Sequence, residues 1–89
     1  EDLADEESML GVVSYLSEQV ARRLRRCERL CGTVTLKYRR EDFKTFTHTR
    51  RLTKPTDSTT TIYQTAAELL SEMRRRQPRG VRLLGVTAS

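Results

Sequence analysis

The segment "GTVTLKYRREDFKTFTHTRRL", residues 32–52, limits the fold more than any other part of the chain. Val34, Leu36 and Tyr38 alternate with Thr33, Thr35, Lys37 and Arg39, so a strand over residues 33–40 has one apolar and one polar face. "REDF" is too short for a crossover connection. The second strand, residues 43–52, must therefore return antiparallel to the first. On it Phe46 and Leu52 share one parity, and Thr45, Thr47, Thr49 and Arg51 share the other. His48 and Arg50 have the parity of Phe46, which turns them towards the core, so a bulge or the sheet end must let them reach water.

A sheet with one apolar face needs a cover, and two amphipathic segments supply it. Asp5 or Ser8 can cap a helix whose first turn carries Glu6 and Glu7. From there Met9, Val13, Leu16, Val20, Leu24 and Cys27 recur every three or four residues. Arg22, Arg23, Arg25, Arg26 and Arg29 crowd the far end, and Gly32 is the expected stop. "TKPTDS" reads as a loop, because Pro55 disfavours helix at Lys54. Asp57, Ser58 or Thr59 then caps a second helix with Ile62, Ala66, Leu69 and Met73 as its stripe and Tyr63, Ala67 and Leu70 beside it. Arg74, Arg75 and Arg76 close it ahead of Pro78 and Gly80. "GVRLLGVTAS" is a short last strand, where Gly85 suggests a bulge or the close approach of another backbone.

The order is α-β-β-α-β within 89 residues, the size of one domain. It predicts an α+β fold with two helices on one face of a small antiparallel sheet. No helix remains for the other face. That face carries Thr33, Thr35, Lys37, Arg39, Thr45, Thr47, Thr49 and Arg51, residues suited to donate to a phosphate backbone.

The charge agrees. Lys and Arg number 17 against 12 Asp and Glu, a net charge of +5. The basic residues gather at 21–29, 50–51 and 74–79, and Arg outnumbers Lys, which suits planar recognition of phosphate or carboxylate. A polyanion, nucleic acid first, is one reading of this balance; solubility or the arginine enrichment of a GC-rich genome is the other. For the arginines at the first helix end, solvation is favoured over ligand contact. RNA-reading sheets display aromatics for base stacking. A face of Thr, Lys and Arg favours the backbone of a duplex instead.

Several classes are disfavoured. No apolar run is long enough to span a membrane, and the acidic N-terminal residues lack a signal-peptide core. Cys27 and Cys31 have only His48 to join them as ligands, so free thiols of a cytosolic protein are a better reading than a zinc site. No carboxylates pair on neighbouring strands to hold Mg²⁺, no glycine-rich phosphate loop precedes a helix, and His48 has no partner in sequence. The chain carries no catalytic, cofactor or metal site that its sequence reveals.

"EDLADEESML", "GTVTLKYRREDFKTFTHTRRLTKPTDSTTTIYQTAAELL" and "VRLLGVTAS" together resemble the little-finger, or polymerase-associated, domain of bacterial Y-family DNA polymerases of the DNA polymerase IV group. The resemblance covers nearly the whole chain. Its most specific parts are "TVTLKYRREDFKTFT", "RRLTKPTD" and the terminal "RLLGV". It implies that residues 1–89 are a DNA-binding domain from the C-terminal part of a longer cytoplasmic translesion polymerase. In that family the palm, elsewhere in the parent, holds the metal-binding carboxylates and their Mg²⁺. The little finger lays its sheet in the major groove and grips primer–template duplex through phosphates.

By position, the resemblance places template-phosphate contacts around Thr47, His48, Thr49 and Arg50, with His48 where an arginine is usual. It places a further basic contact at Arg82, and Leu83 stands where some relatives have a second arginine. Lys37 and Arg39 join this set by sheet face alone. The family fold is β-α-β-β-α-β, and its first strand would precede Glu1, leaving a three-stranded sheet with an exposed edge. The resemblance also implies a sliding clamp as a possible partner. The competing function is accordingly a protein-interaction module that docks on the clamp or another acidic partner through Arg22, Arg25, Arg74 or Arg75.

Overall fold

The computed structural model describes residues 5–76 and 80–89. Its elements run α1 (Glu6–Arg26), β1 (Cys31–Arg40), β2 (Thr45–Thr56), α2 (Thr59–Arg76) and β3 (Val81–Ala88). The expected order and the α+β class both hold. The strands form one antiparallel sheet in the order β2-β1-β3. Both helices cover the same face. Pro78 and Arg79, expected beyond the second helix, and the first four residues of "EDLADEESML" lie outside the described residues.

The core forms where the alternation of β1 meets the two helical stripes. Val34, Leu36 and Tyr38 of β1 and Val81, Leu84 and Val86 of β3 are buried against Ile62, Ala66, Leu69, Leu70 and Met73 of α2. The stripe of α2 is the one its periodicity predicts. That of α1 is shifted. Its buried line is Met9, Val13, Ser17 and Ala21, with Leu16, Val20 and Leu24 only partly buried. Cys27, expected in the stripe, is exposed, whereas Cys31 is buried. Ser17 and Ala21 are small, so α1 can approach its neighbours closely along this line. Hydropathy alone gave these two residues no weight.

The ends of the elements follow local chemistry. Asp5 caps α1, its carboxylate accepting from the Ser8 N–H at 3.3 Å. That hydrogen bond holds the Asp5 carboxyl below its ordinary pKa. Gly32 does not stop the helix, because it already lies in β1. The stop is a Schellman motif centred on Glu28, at φ 54°. In it the Arg29 N–H donates to Leu24 O at 2.9 Å and the Glu28 N–H to Arg25 O at 3.2 Å. Ser58 caps α2, its Oγ accepting from the Thr61 N–H at 3.3 Å.

The expected loop "TKPTDS" is mostly strand. β2 continues to Thr56, which pairs with Cys31, while Arg51 pairs with Thr33. One residue of β1, Gly32, thus faces the four residues from Leu52 to Pro55, and this bulge sits on an edge strand. Pro55 is tolerated there because it has no ladder hydrogen bond to donate. The β1–β2 turn is tight: the Phe43 N–H donates to Arg40 O at 2.9 Å, and the Arg40 N–H to Lys44 O at 2.9 Å. Phe43 therefore belongs to the turn and not to the strand, and it sits at φ 68°.

Candidate nucleic-acid interface

Pairing register fixes which side chains share the uncovered face, because directly paired residues of an antiparallel sheet point the same way. Four rows cross it. Thr45, Arg39 and Leu83 form the first, and Thr47, Lys37 and Gly85 the second. Thr49, Thr35 and Thr87 form the third. Arg51 and Thr33 begin the fourth, which Ser89 completes through paired backbone hydrogen bonds with Thr33 at 2.9 and 3.1 Å.

The grid holds the cations Lys37, Arg39 and Arg51 among seven hydroxyl residues, and no carboxylate. Some hydroxyls are ordered by one another: Thr35 Oγ1 lies 2.8 Å from Thr49 Oγ1, and Thr33 Oγ1 lies 2.7 Å from Ser89 Oγ. Arg39 Nε donates to Thr45 Oγ1 at 3.1 Å, which aims the guanidinium along the sheet. Hydroxyls and cations so arranged can donate to an extended anion without any negative group to repel it.

Of the residues expected from sequence, Lys37, Arg39, Thr47 and Thr49 come together on this face. His48 and Arg50 do not. They pair with Leu36 and Val34, whose side chains enter the core, so they lie on the helix-covered side, as strict alternation required. That register sets the two positions on the opposite face of the sheet from Lys37 and Arg39. Arg50 instead engages α2, donating to Glu72 at 2.6 Å and to Glu68 at 2.9 Å. Arg50's hydrogen bond, followed by its charge and those of Arg75 and Arg76, holds the Glu72 carboxyl below its usual range against a smaller opposing effect of burial. Arg51, the next residue, carries the cation that does reach the open face.

Arg82 lies at the edge of the grid. Arg39 pairs with Leu83 but Arg40 pairs with Val81, so Arg82 is the extra residue of a β-bulge. The bulge lets Arg82 and Leu83 both reach solvent between the buried Val81 and Leu84. The Arg82 guanidinium stacks 4.7 Å from the centroid of the exposed Phe43 ring. The expected irregularity of β3 is therefore at Arg82, and the register across Gly85 is unbroken. Thr87 and Ser89 were missed as face residues because no pairing register for β3 can be read from a single strand.

Three of the arginines at the helix ends have partners within the fold. Arg25 donates to Asp57 O at 2.9 Å and so ties the end of α1 to the start of α2. Arg74 lies 3.6 Å from Glu6 and Arg22 lies 3.7 Å from Glu18. A concavity of about 490 Å³ runs between the Leu52–Pro55 bulge and Thr61 and Thr65 of α2. Among the described residues, no three His, Cys, Asp or Glu side chains gather where they could hold a metal ion, so this donor set does not fit Mg²⁺. None of the described helices is long and apolar enough to cross a membrane.

The impB/mucB/samB family C-terminal domain matches residues 1–89. DNA polymerase IV of Streptococcus pneumoniae serotype 4 is 40% identical over 85 residues, covering 96% of this chain and 24% of that protein. DNA polymerase IV of Clostridium acetobutylicum is 33% identical over 88 residues, covering 99% of this chain and 22% of the relative. The chain thus spans about a quarter of the length of these curated relatives. Among solved structures, the insertion ternary complex of Dbh DNA polymerase superposes with a TM-score of 0.79 at 21% identity, over 99% of this chain and 25% of that one. The little finger domain of PolIV, solved in complex with the beta-clamp processivity factor, superposes with a TM-score of 0.76 at 25% identity, over all of this chain and 78% of that one. With register, fold and sequence in agreement, the chain belongs to the impB/mucB/samB C-terminal domain family, the little-finger domain of Y-family DNA polymerases of the DNA polymerase IV group.

Proposed function

We propose that residues 1–89 are the duplex-DNA-binding domain of a longer lesion-bypass DNA polymerase, non-catalytic by itself. It holds primer–template DNA by its phosphates, with the sheet against the major groove. The observation that carries this reading is the open grid, where Lys37, Arg39 and Arg51 stand among hydroxyls with no carboxylate. Thr47 and Thr49 donate beside them, and Arg82 extends the cationic surface past the first row. Arg50 braces the same strand from the helix side through Glu68 and Glu72, and His48 lies on that side with it. The relatives named DNA polymerase IV and the Dbh polymerase complex support this reading. A cytoplasmic location fits that role, and the Mg²⁺ of the parent reaction belongs to residues outside this chain.

Binding of a short duplex, followed by anisotropy at several salt concentrations, tests the proposal. Alanine at Lys37, Arg39 or Arg51 lowers affinity for every sequence alike and reduces the salt slope by about one each. Unchanged affinity in all three variants, or dependence on base sequence, overturns it.

A second reading, docking on the sliding clamp, is favoured by the PolIV little finger solved with its clamp. Arg25 and Arg74 already have partners within the fold, and Arg75 and Arg76, both exposed and adjacent at the end of α2, are the pair chosen to test such a contact. Clamp pull-down with alanine at both positions, alongside the DNA assay, separates the two readings.

A further inference from the structure

Gly85 occupies the second row of the open face, directly across from Lys37. Nothing among the described residues requires glycine there. Its φ is not positive, and a Cβ at this position would meet nothing closer than Lys37 Cβ at 3.8 Å, an ordinary contact. The bulge of β3 lies elsewhere, at Arg82. Glycine inside a strand sacrifices side-chain packing and carries an extra entropic cost, and its usual compensation is the close approach of a ligand or a second backbone. With internal reasons removed, the approaching group must come from outside.

We propose that Gly85 is the floor of a seat for one DNA phosphodiester group. This rests on the duplex-binding reading and locates a phosphate within it. The bare Cα lets a phosphate oxygen sink one carbon deeper than at any neighbouring position of the grid. Lys37, exposed across the ladder, supplies a charged donor, and Thr87, exposed two residues along the same face, supplies a hydroxyl. Leu83, two residues the other way and 46% exposed, closes the seat on its apolar side. A side chain at position 85 would lift the phosphate away from Lys37 without disturbing the strand.

The test sets stability against binding. In Gly85→Ala and Gly85→Val the thermal midpoint stays level or rises, while affinity for a short DNA duplex falls about tenfold and the salt slope drops by about one. Lys37→Ala gives a similar loss, and the Gly85→Val/Lys37→Ala double variant loses less than the sum, because both act on one phosphate. If Gly85→Val binds like the unsubstituted chain while Lys37→Ala, Arg39→Ala and Arg51→Ala are weakened, the seat is wrong and duplex binding stands. If none of these variants is weakened, the duplex-binding reading itself has failed. An NMR titration of the unsubstituted chain with duplex needs no substitution. It is expected to move the Gly85 amide as far as those of Lys37 and Thr87, and a stationary Gly85 amide beside moving neighbours overturns the seat.

Discussion

Arg50 Nη2 lies 2.6 Å from Glu72 Oε2, an ion pair that ties edge strand β2 to the fourth turn of α2. Arg50 also reaches Glu68 at 2.9 Å, so one guanidinium spans two carboxylates on the same helix face. The pair occupies a cation that the sequence resemblance assigns to DNA.

The arrangement has a pH signature. Glu72 titrates below its ordinary value of 4.5 chiefly because Arg50 hydrogen-bonds its charged form. A carboxyl with a lowered folded-state pKa contributes stability that is present above the unfolded value and is lost as pH falls through the folded value. Stability is therefore expected to decline on acidification below about pH 4.5. In Arg50→Gln the Glu72 titration, followed by carboxyl-carbon NMR, moves upward. A Glu72 midpoint that does not move means that the pair does not form in solution.

Neighbours on one strand can then be told apart by face. Arg51→Ala is expected to weaken duplex binding about tenfold, while Arg50→Ala changes it by less than about threefold and lowers the thermal midpoint instead. Equal losses of affinity from both substitutions contradict the register that pairs Arg50 with Val34 and Arg51 with Thr33.

Ser17 is fully buried in α1, and its Oγ is the one buried side-chain polar atom among the described residues without a hydrogen-bond partner. An unsatisfied buried hydroxyl costs about 1–3 kcal/mol, whereas removing it leaves a gap no larger than one oxygen. Ser17→Ala should therefore stabilise the domain by about 1 kcal/mol in urea denaturation. A destabilised variant shows that the hydroxyl is bonded.

Glu28 holds the left-handed position of the Schellman motif, where glycine is free of strain. Glu28→Gly relieves about 1–2 kcal/mol, of which unfolded-state entropy takes back about half. A net gain of about 0.5–1 kcal/mol is expected, with an unchanged denaturant slope.

These positions mark the limit of what the sequence makes legible. The β1 alternation and the α2 stripe identify themselves, because large apolar residues sit at every core position. Ser17 and Ala21 stay hidden because their burial comes from close helix packing and not from hydropathy. Glu28 is hidden because backbone hydrogen bonds hold it in a conformation its residue type disfavours. The parity of β2 puts Arg50 on the side of Phe46, but only the unbroken pairing with β1 shows that no bulge turns it back to the open face. Arg82 could not be placed without the bulge in β3, which only its pairing with β1 reveals.

Phe43 combines two opposed effects. At φ 68° a bulky residue is strained by about 1–2 kcal/mol, and at 65% exposure it recovers little by burial. Its ring carries the Arg82 guanidinium, a contact worth about 0.5–1 kcal/mol at an exposed site. Unfolded-state entropy takes back about half of the strain that glycine relieves, and the lost stack offsets the rest, so Phe43→Gly is expected to leave stability within about 0.5 kcal/mol of the unsubstituted chain. Arg82 then loses a ring that orders it, and duplex affinity should fall about two- to threefold while stability stays level. Phe43→Leu separates the two effects, because it keeps the strain and removes the stack. Its stability should fall by about 0.5–1 kcal/mol, and a variant as stable as the unsubstituted chain rules out the ring contact as a source of order at Arg82.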